Sequence, residues 1–154
     1  LRRLSAVKTE MEQQELEVFV ITNIANIAYL TGYTGKTGKD VQALIVSVKN
    51  EEPTFITRRQ DVPGARHFMF IDSNRVIGYP EDLVANPNPL KDEWDAVTDL
   101  LLDNGFGHRR IGIEMKILAF PVVEKFRKRM PNARFIDFDW INWVRASNPI
   151  SRSL

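Results

Sequence analysis

Leu1, Leu4, Val7 and Met11 recur at intervals of three and four residues, which predicts an amphipathic helix at the start of the chain. Val18-Phe19-Val20-Ile21-Thr22 is an unbroken β-branched and aromatic run, the pattern of a strand buried on both faces. Asn23 is placed to cap a short helix over Ile24 to Leu30, stopped by Thr31-Gly32. Tyr33 to Asp40, with Gly35 and Gly38, reads as a loop. Val41 to Val48 and Thr54 to Thr57 are strand-like, and Lys49-Asn50-Glu51-Glu52-Pro53 between them suits a hairpin.

Further along, Asp61 is expected to cap a helix carrying Pro63 in its first turn, where the missing N–H costs nothing. Arg75 to Tyr79 is a short strand, followed by a turn-rich stretch from Pro80 to Pro89. Asn88 and Pro89 are expected to open a helix with Leu90, Trp94, Val97 and Leu101 on its apolar stripe and Gly105 at its end. Arg110 to Glu114 is a strand, Val122, Val123, Phe126 and Met130 stripe a helix, and Arg134 to Asp137 is a last strand. Asp139 then begins a final helix with Trp140, Ile141 and Val144. Trp140 and Trp143 serve either as core residues or as a docking face. Strands alternating with helices, plus one hairpin, predict a single three-layer α/β domain. Its mixed sheet of about six strands is covered by helices on both faces.

Composition narrows function mainly by exclusion. The 154 residues suit one domain, and 44% hydrophobic with 27% charged is an ordinary globular mix. A net charge of +1 gives no field favouring nucleic acid or acidic lipid, so neither is expected as a partner. The absence of cysteine removes disulfides, thiolate metal sites and thiol nucleophiles. Leu1-Arg2-Arg3-Leu4 leads into polar sequence, and the apolar runs are far too short to span a bilayer, so a cytoplasmic location is expected.

A search for catalytic chemistry finds little. His67 and His108 lie in separate elements without metal-ligand spacing and read as solvated. Asp137 and Asp139 form an Asp-x-Asp pair that could hold a hard cation but reads better as a strand end passing into a helix cap. Gly35-Lys36-Thr37 resembles the end of a phosphate loop, yet its required earlier glycine falls on Leu30. Arg127-Lys128-Arg129 alternates with inward Phe126 and Met130 and reads as a solvated helix face.

The order of motifs carries more. Leu16 to Thr22 followed by Asn26-Ile27-Ala28-Tyr29-Leu30-Thr31-Gly32-Tyr33 resembles the opening of the creatinase/prolidase N-terminal domain. In that segment Asn-Ile is expected to start the short helix, Tyr and Leu to plug it onto the sheet, and Gly to release the chain. The similarity runs on through Ala43 to Val46 and Pro53 to Thr57. Arg59, Asp61 and Gly64-Ala65 are similar to an Arg-x-x-Asp-x-x-Gly-Ala pattern of ectoine-hydrolase-like and creatinase-like members. Ile77 to Pro80, Arg110 to Glu114 and Asp137 to Arg145 resemble later family segments.

The resemblance implies residues 1–146 as the N-terminal domain and residues 147–154 as a linker toward a C-terminal catalytic domain. It implies that hydrolysis belongs to that second domain, through a divalent metal pair (Mn, Co or Zn) or, in creatinase itself, a metal-free histidine. The chain alone is expected to be inactive and to hold no cofactor. Its expected partners are its own catalytic domain, a second subunit, and a small-molecule or peptide substrate. Tyr33, Lys36, Lys39 and Asp40, with Arg59 and Asp61 behind them, are the expected substrate-rim residues, Lys39 facing a substrate carboxylate and Tyr33 forming an apolar wall. A stand-alone ligand-binding or dimerisation module is the competing expectation.

Overall fold

A computed structural model describes residues 2–35, 40–79 and 92–140. Along the chain they form α1 (Arg2–Gln13), β1 (Val18–Ile21), α2 (Ile24–Thr31), β2 (Ala43–Ser47) and β3 (Thr54–Arg58). After a single 3-10 turn at Arg59–Asp61 come α3 (Val62–Phe68), β4 (Val76–Tyr79), α4 (Glu93–Asp103), β5 (Arg110–Ile113), α5 (Phe120–Arg129) and β6 (Arg134–Asp137). The strands make one mixed six-stranded sheet in the order β4-β3-β2-β1-β5-β6. The β1–β2 and β2–β3 pairs are antiparallel, whereas β1–β5, β5–β6 and β3–β4 are parallel.

β1 lies at the centre of that order, and all four of its residues are buried. Phe19 and Ile21 face a core built with Leu4, Val7 and Met11 of α1, Ile27 and Leu30 of α2 and Ala65 of α3. Val18 and Val20 face a second core with Val97 and Leu101 of α4 and Val123 and Phe126 of α5. A strand covered on both sides has no polar face to alternate with, hence the unbroken apolar run. The outer strand β6 leaves Arg134 and Asp137 exposed, a charged edge that discourages pairing with another chain. The three-layer reading therefore holds.

Several boundaries follow local chemistry. The Asn23 side chain accepts from Ala25 N and Asn26 N at the start of α2, and Gly32 at φ +80° ends that helix in the left-handed region. Gly105, at φ +78°, closes the turn after α4. Two expected starts differ. Asp61 makes no capping bond to α3, because its carboxylate is engaged by Arg58. α4 begins at Glu93, where Asp92 and Asp95 form a reciprocal capping box. Asn88, Pro89 and Leu90 lie outside the described residues, as do the expected last helix beyond Trp140, Trp143 and the linker 147–154. Trp140 itself is a core residue, 1% exposed.

The basic run on α5 is only partly a solvated face. Arg127 and Lys128 are exposed, but Arg129 crosses to α4, donating to Asp95, Thr98 and Asp99. Lys125 joins it, 2.9 Å from both Asp92 and Asp95. These bridges tie α4 to α5 over the second core.

Candidate functional site

β3 ends at Arg58, and the chain turns at once into the 3-10 segment that carries Asp61. The Arg58 guanidinium meets Asp40 Oδ2 at 2.7 Å through Nη1 and Asp61 Oδ2 at 2.8 Å through Nε. One planar fork thus bridges the residue entering β2 to the turn leaving β3, which a lysine's point charge could not do with fixed geometry. All three side chains are only partly exposed, about a fifth to a quarter of their surface. Partial burial makes the pairing stronger than that of a surface ion pair.

Tyr33 packs under this cluster in the first core, its ring edge-on to Phe55 with centroids 5.7 Å apart. Burial, then the charge of Asp61, raises its phenol pKa against a smaller lowering by Arg58, so the hydroxyl stays protonated at neutral pH. Gly35 lies against that hydroxyl, so a Cβ there would push the tip of the Tyr33 ring aside. Gln42 Nε2 donates to Gly35 O at 3.3 Å and holds that glycine from below. On the other side, Tyr79 pairs across from Arg58 in the β3–β4 ladder and is buried. Burial, followed by the charges of Glu93 and Asp40, raises its phenol pKa as well. Neither Tyr79 OH nor Gln42 Oε1 has a hydrogen-bond partner among the described residues.

Of the six expected rim residues, Tyr33, Asp40 and Asp61 come together here. Arg59 is exposed on the 3-10 turn, its backbone pressed against β4: a Cβ on Gly78 would lie 2.8 Å from Arg59 Cα. Lys36 and Lys39 lie outside the described residues. The hub, Arg58, was not among the expected site residues. Counting back from Asp61, the Arg-x-x-Asp spacing falls on Arg58 and not on Arg59, and that count was the available signal.

A second constellation lies at the C-terminal ends of β1 and β5. Glu114 is 7% exposed, and its Oε1 accepts from Thr22 N at 2.6 Å, Asn23 N at 2.9 Å and Thr22 Oγ1 at 3.2 Å. Its Oε2 accepts from Asn26 Nδ2 at 2.6 Å. The carboxylate therefore sits where the positive end of α2 begins. Asn26 does not start the helix, as its motif suggested; it lies in the first turn and anchors the helix to β5. Nor does Tyr29 plug the sheet. It is 38% exposed, with the Arg3 guanidinium 4.1 Å over its ring and Trp140 5.5 Å away, while Leu30 fills the core.

Asp137 Oδ1 accepts from Met115 N at 3.2 Å, and Asp139 pairs with Lys116 at 2.9 Å, so both steady the turn after β5. Both histidines are exposed. Among the described residues no three His, Asp or Glu side chains converge where a metal could be held, and no helix is long and apolar enough to cross a membrane. The chemistry these clusters offer is positioning: Arg58 anchors one loop, and Glu114 anchors one helix end.

The family model described as the creatinase/prolidase N-terminal domain matches residues 3–147. An uncharacterized hydrolase/peptidase, y4tL, of Sinorhizobium fredii is 45% identical over 98% of this chain and 40% of its own length. The ectoine hydrolase of Halomonas elongata is 33% identical over 94% of this chain and 36% of its own length. The chain thus spans 40% or less of these curated relatives. A solved proline dipeptidase chain from Streptococcus pneumoniae superposes with a TM-score of 0.73 at 20% identity, covering 94% of this chain and 98% of that one. That likeness speaks to the fold. With the matched model covering nearly the whole chain, this protein belongs to the creatinase/prolidase N-terminal domain family.

Proposed function

We propose that this chain is the non-catalytic N-terminal domain of a hydrolase that cleaves C–N bonds in small amides, Xaa-Pro peptides or amidino compounds. In this reading it contributes to dimerisation and to the rim of the substrate pocket, with residues 147–154 leading to the catalytic domain. The observation that carries the reading is the near-complete match of this chain to about 40% of a hydrolase/peptidase. The remainder of such a parent has the length needed for a second large domain.

This chain's share of the work is mechanical. Arg58, held by Asp61, fixes Asp40, the residue that ends the stretch begun by the protonated Tyr33. A rim held before substrate arrives lowers the ordering cost of binding. A metal pair (Mn, Co or Zn) would belong to the catalytic domain, where it would activate water and polarise the scissile bond.

The test uses the full-length protein from the native gene. Arg58→Ala is expected to lower kcat/KM at least tenfold while the catalytic domain still binds its metal normally. Unchanged kcat/KM would remove the rim role. The 154-residue chain alone, given Mn²⁺, Co²⁺ or Zn²⁺, is expected to show no turnover, and turnover that survives repurification would refute the non-catalytic assignment.

A further inference from the structure

α4 is capped at its C-terminal end by Asn104, and the next residue is Gly105 at φ +78°. Of the asparagines in the sequence, Asn104 alone is followed by glycine. Glycine has no side chain to shield its backbone nitrogen, so that nitrogen is able to attack the amide carbon of an asparagine before it. Asn104 is exposed and the space around Gly105 is open, so water reaches both. The folded geometry nevertheless opposes the attack. Asn104 Nδ2 donates to Leu100 O at 2.7 Å, and Gly105 N donates to Leu102 O at 3.0 Å. At φ −89° and ψ 6°, Asn104 has the following nitrogen turned away from its own side chain. Closing a five-membered ring needs the two nearly eclipsed. Phe106, buried in the second core, donates through its N–H to Leu101 O at 3.0 Å and holds the turn shut from the far side.

We infer that Asn104–Gly105 is a spontaneous deamidation site gated by opening of the end of α4. The inference stands apart from the hydrolase reading above. When the last turn opens, ψ of Asn104 rotates freely and the Gly105 nitrogen is released from Leu102 O. That nitrogen loses its proton and bonds to Asn104 Cγ, the Cγ–Nδ2 bond breaks, and ammonia leaves with the proton. The product is a cyclic imide. Water then opens the imide at one of its two carbonyls. One opening gives aspartate, and the other gives isoaspartate with the main chain rerouted through Cγ. One water is consumed and one ammonia released, with no change of oxidation state. The modification then works against reclosure. A carboxylate cannot donate to Leu100 O, and it adds negative charge at the negative end of the α4 dipole, beside Asp103. Isoaspartate also lengthens the main chain by a carbon just before the left-handed Gly105, which shifts Phe106 from its seat. The site therefore turns transient opening of one helix end into lasting looseness on the α4 side of the second core.

Peptide mapping by mass spectrometry tests the inference. The full-length protein and a synthetic peptide of residues 100–109 are aged in the same mildly alkaline buffer at the same temperature. Aspartate and isoaspartate at position 104 are then measured over time. The expected result is conversion at least tenfold slower in the folded protein than in the peptide, with the difference abolished when the protein is unfolded in urea. Equal rates in the folded protein and the peptide overturn the gating. No product at position 104, after ageing long enough to modify another asparagine of the folded protein, overturns the site itself. The full-length Asn104→Asp variant tests the consequence, and since Asn104 is exposed the substitution leaves the core residues in place. Its backbone amides at residues 104–106 are expected to exchange with solvent deuterium about fivefold faster than the parent's, and unchanged exchange refutes the loosening.

Discussion

Replacing Glu114 is the most direct test of how this scaffold is held. Its carboxylate takes hydrogens from two backbone N–H groups, one hydroxyl and one amide, at 2.6 to 3.2 Å in a nearly closed site. Glu114→Ala strands Thr22 N, Asn23 N and Asn26 Nδ2 together. At about 1–3 kcal/mol for each buried unpaired donor, with overlap among neighbours, the loss is about 3–5 kcal/mol. The lower end applies if water enters from the adjoining pocket of about 200 Å³. For a chain of this length that is a fall in Tm of roughly 10 °C.

Glu114→Gln is expected to cost less, about 1–2 kcal/mol. Its carbonyl can still accept from the α2 entry. Its new NH₂ meets Asn26, whose amide can turn so that the unpartnered Oδ1 faces it. Thermal unfolding followed by circular dichroism measures both variants, and a double-mutant cycle with Asn26→Ala isolates the pair, with a coupling of about 1–2 kcal/mol expected. A Glu114→Ala variant melting within about 2 °C of the parent would refute the argument. So would equal Tm values for the Gln and Ala variants.

Three further outcomes are expected. Gly78→Ala should destabilise by about 1–3 kcal/mol, because its Cβ would sit 2.8 Å from the Arg59 backbone, and an unchanged Tm would show that β4 yields easily. Gly64→Ala, in α3 with open space around the new methyl, should instead stabilise by about 0.5–1 kcal/mol, and a lower Tm would contradict that. Burial would raise the Asp95 pKa, but the Lys125 hydrogen bond, the Asp92 N–H and the Lys125 and Arg129 charges hold it below the usual carboxylate range. The stability from that depressed value is present above the unfolded pKa of about 3.9 and is lost as pH falls through the lower folded value. The Tm gap between parent and Asp95→Asn should therefore be widest near pH 7 and narrow below about pH 4; a gap that stays constant would refute the pairing.

Features set by near neighbours in the chain were legible before the structure. The unbroken run of β1, the Asn23 cap, the left-handed Gly32 and Gly105 and the stripe of α5 all depend on residues within one or two turns. Motif order carried the family, because spacing along a chain survives where individual residues vary. The start of α4 was misplaced because Asn88-Pro89 and Asp92 both look like helix openings. Which one serves depends on the turn whose apolar residues meet the sheet.

What the sequence determined by itself, then, is the order of the described strands and helices, the Asn23 cap and the two-faced apolar burial of β1, since these are short-range consequences of side-chain shape and backbone preference. The tertiary structure decided the strand order, with β5 beside β1 across more than ninety residues. It also decided the partners of the buried polar groups. Arg58 finds Asp40 eighteen positions back, and Glu114 finds Asn26 at a separation of eighty-eight. A carboxylate in a sequence shows only that a partner is needed if it is buried. Which donor it meets is settled when the packed sheet brings distant ends together, because desolvation leaves no buried charge without one.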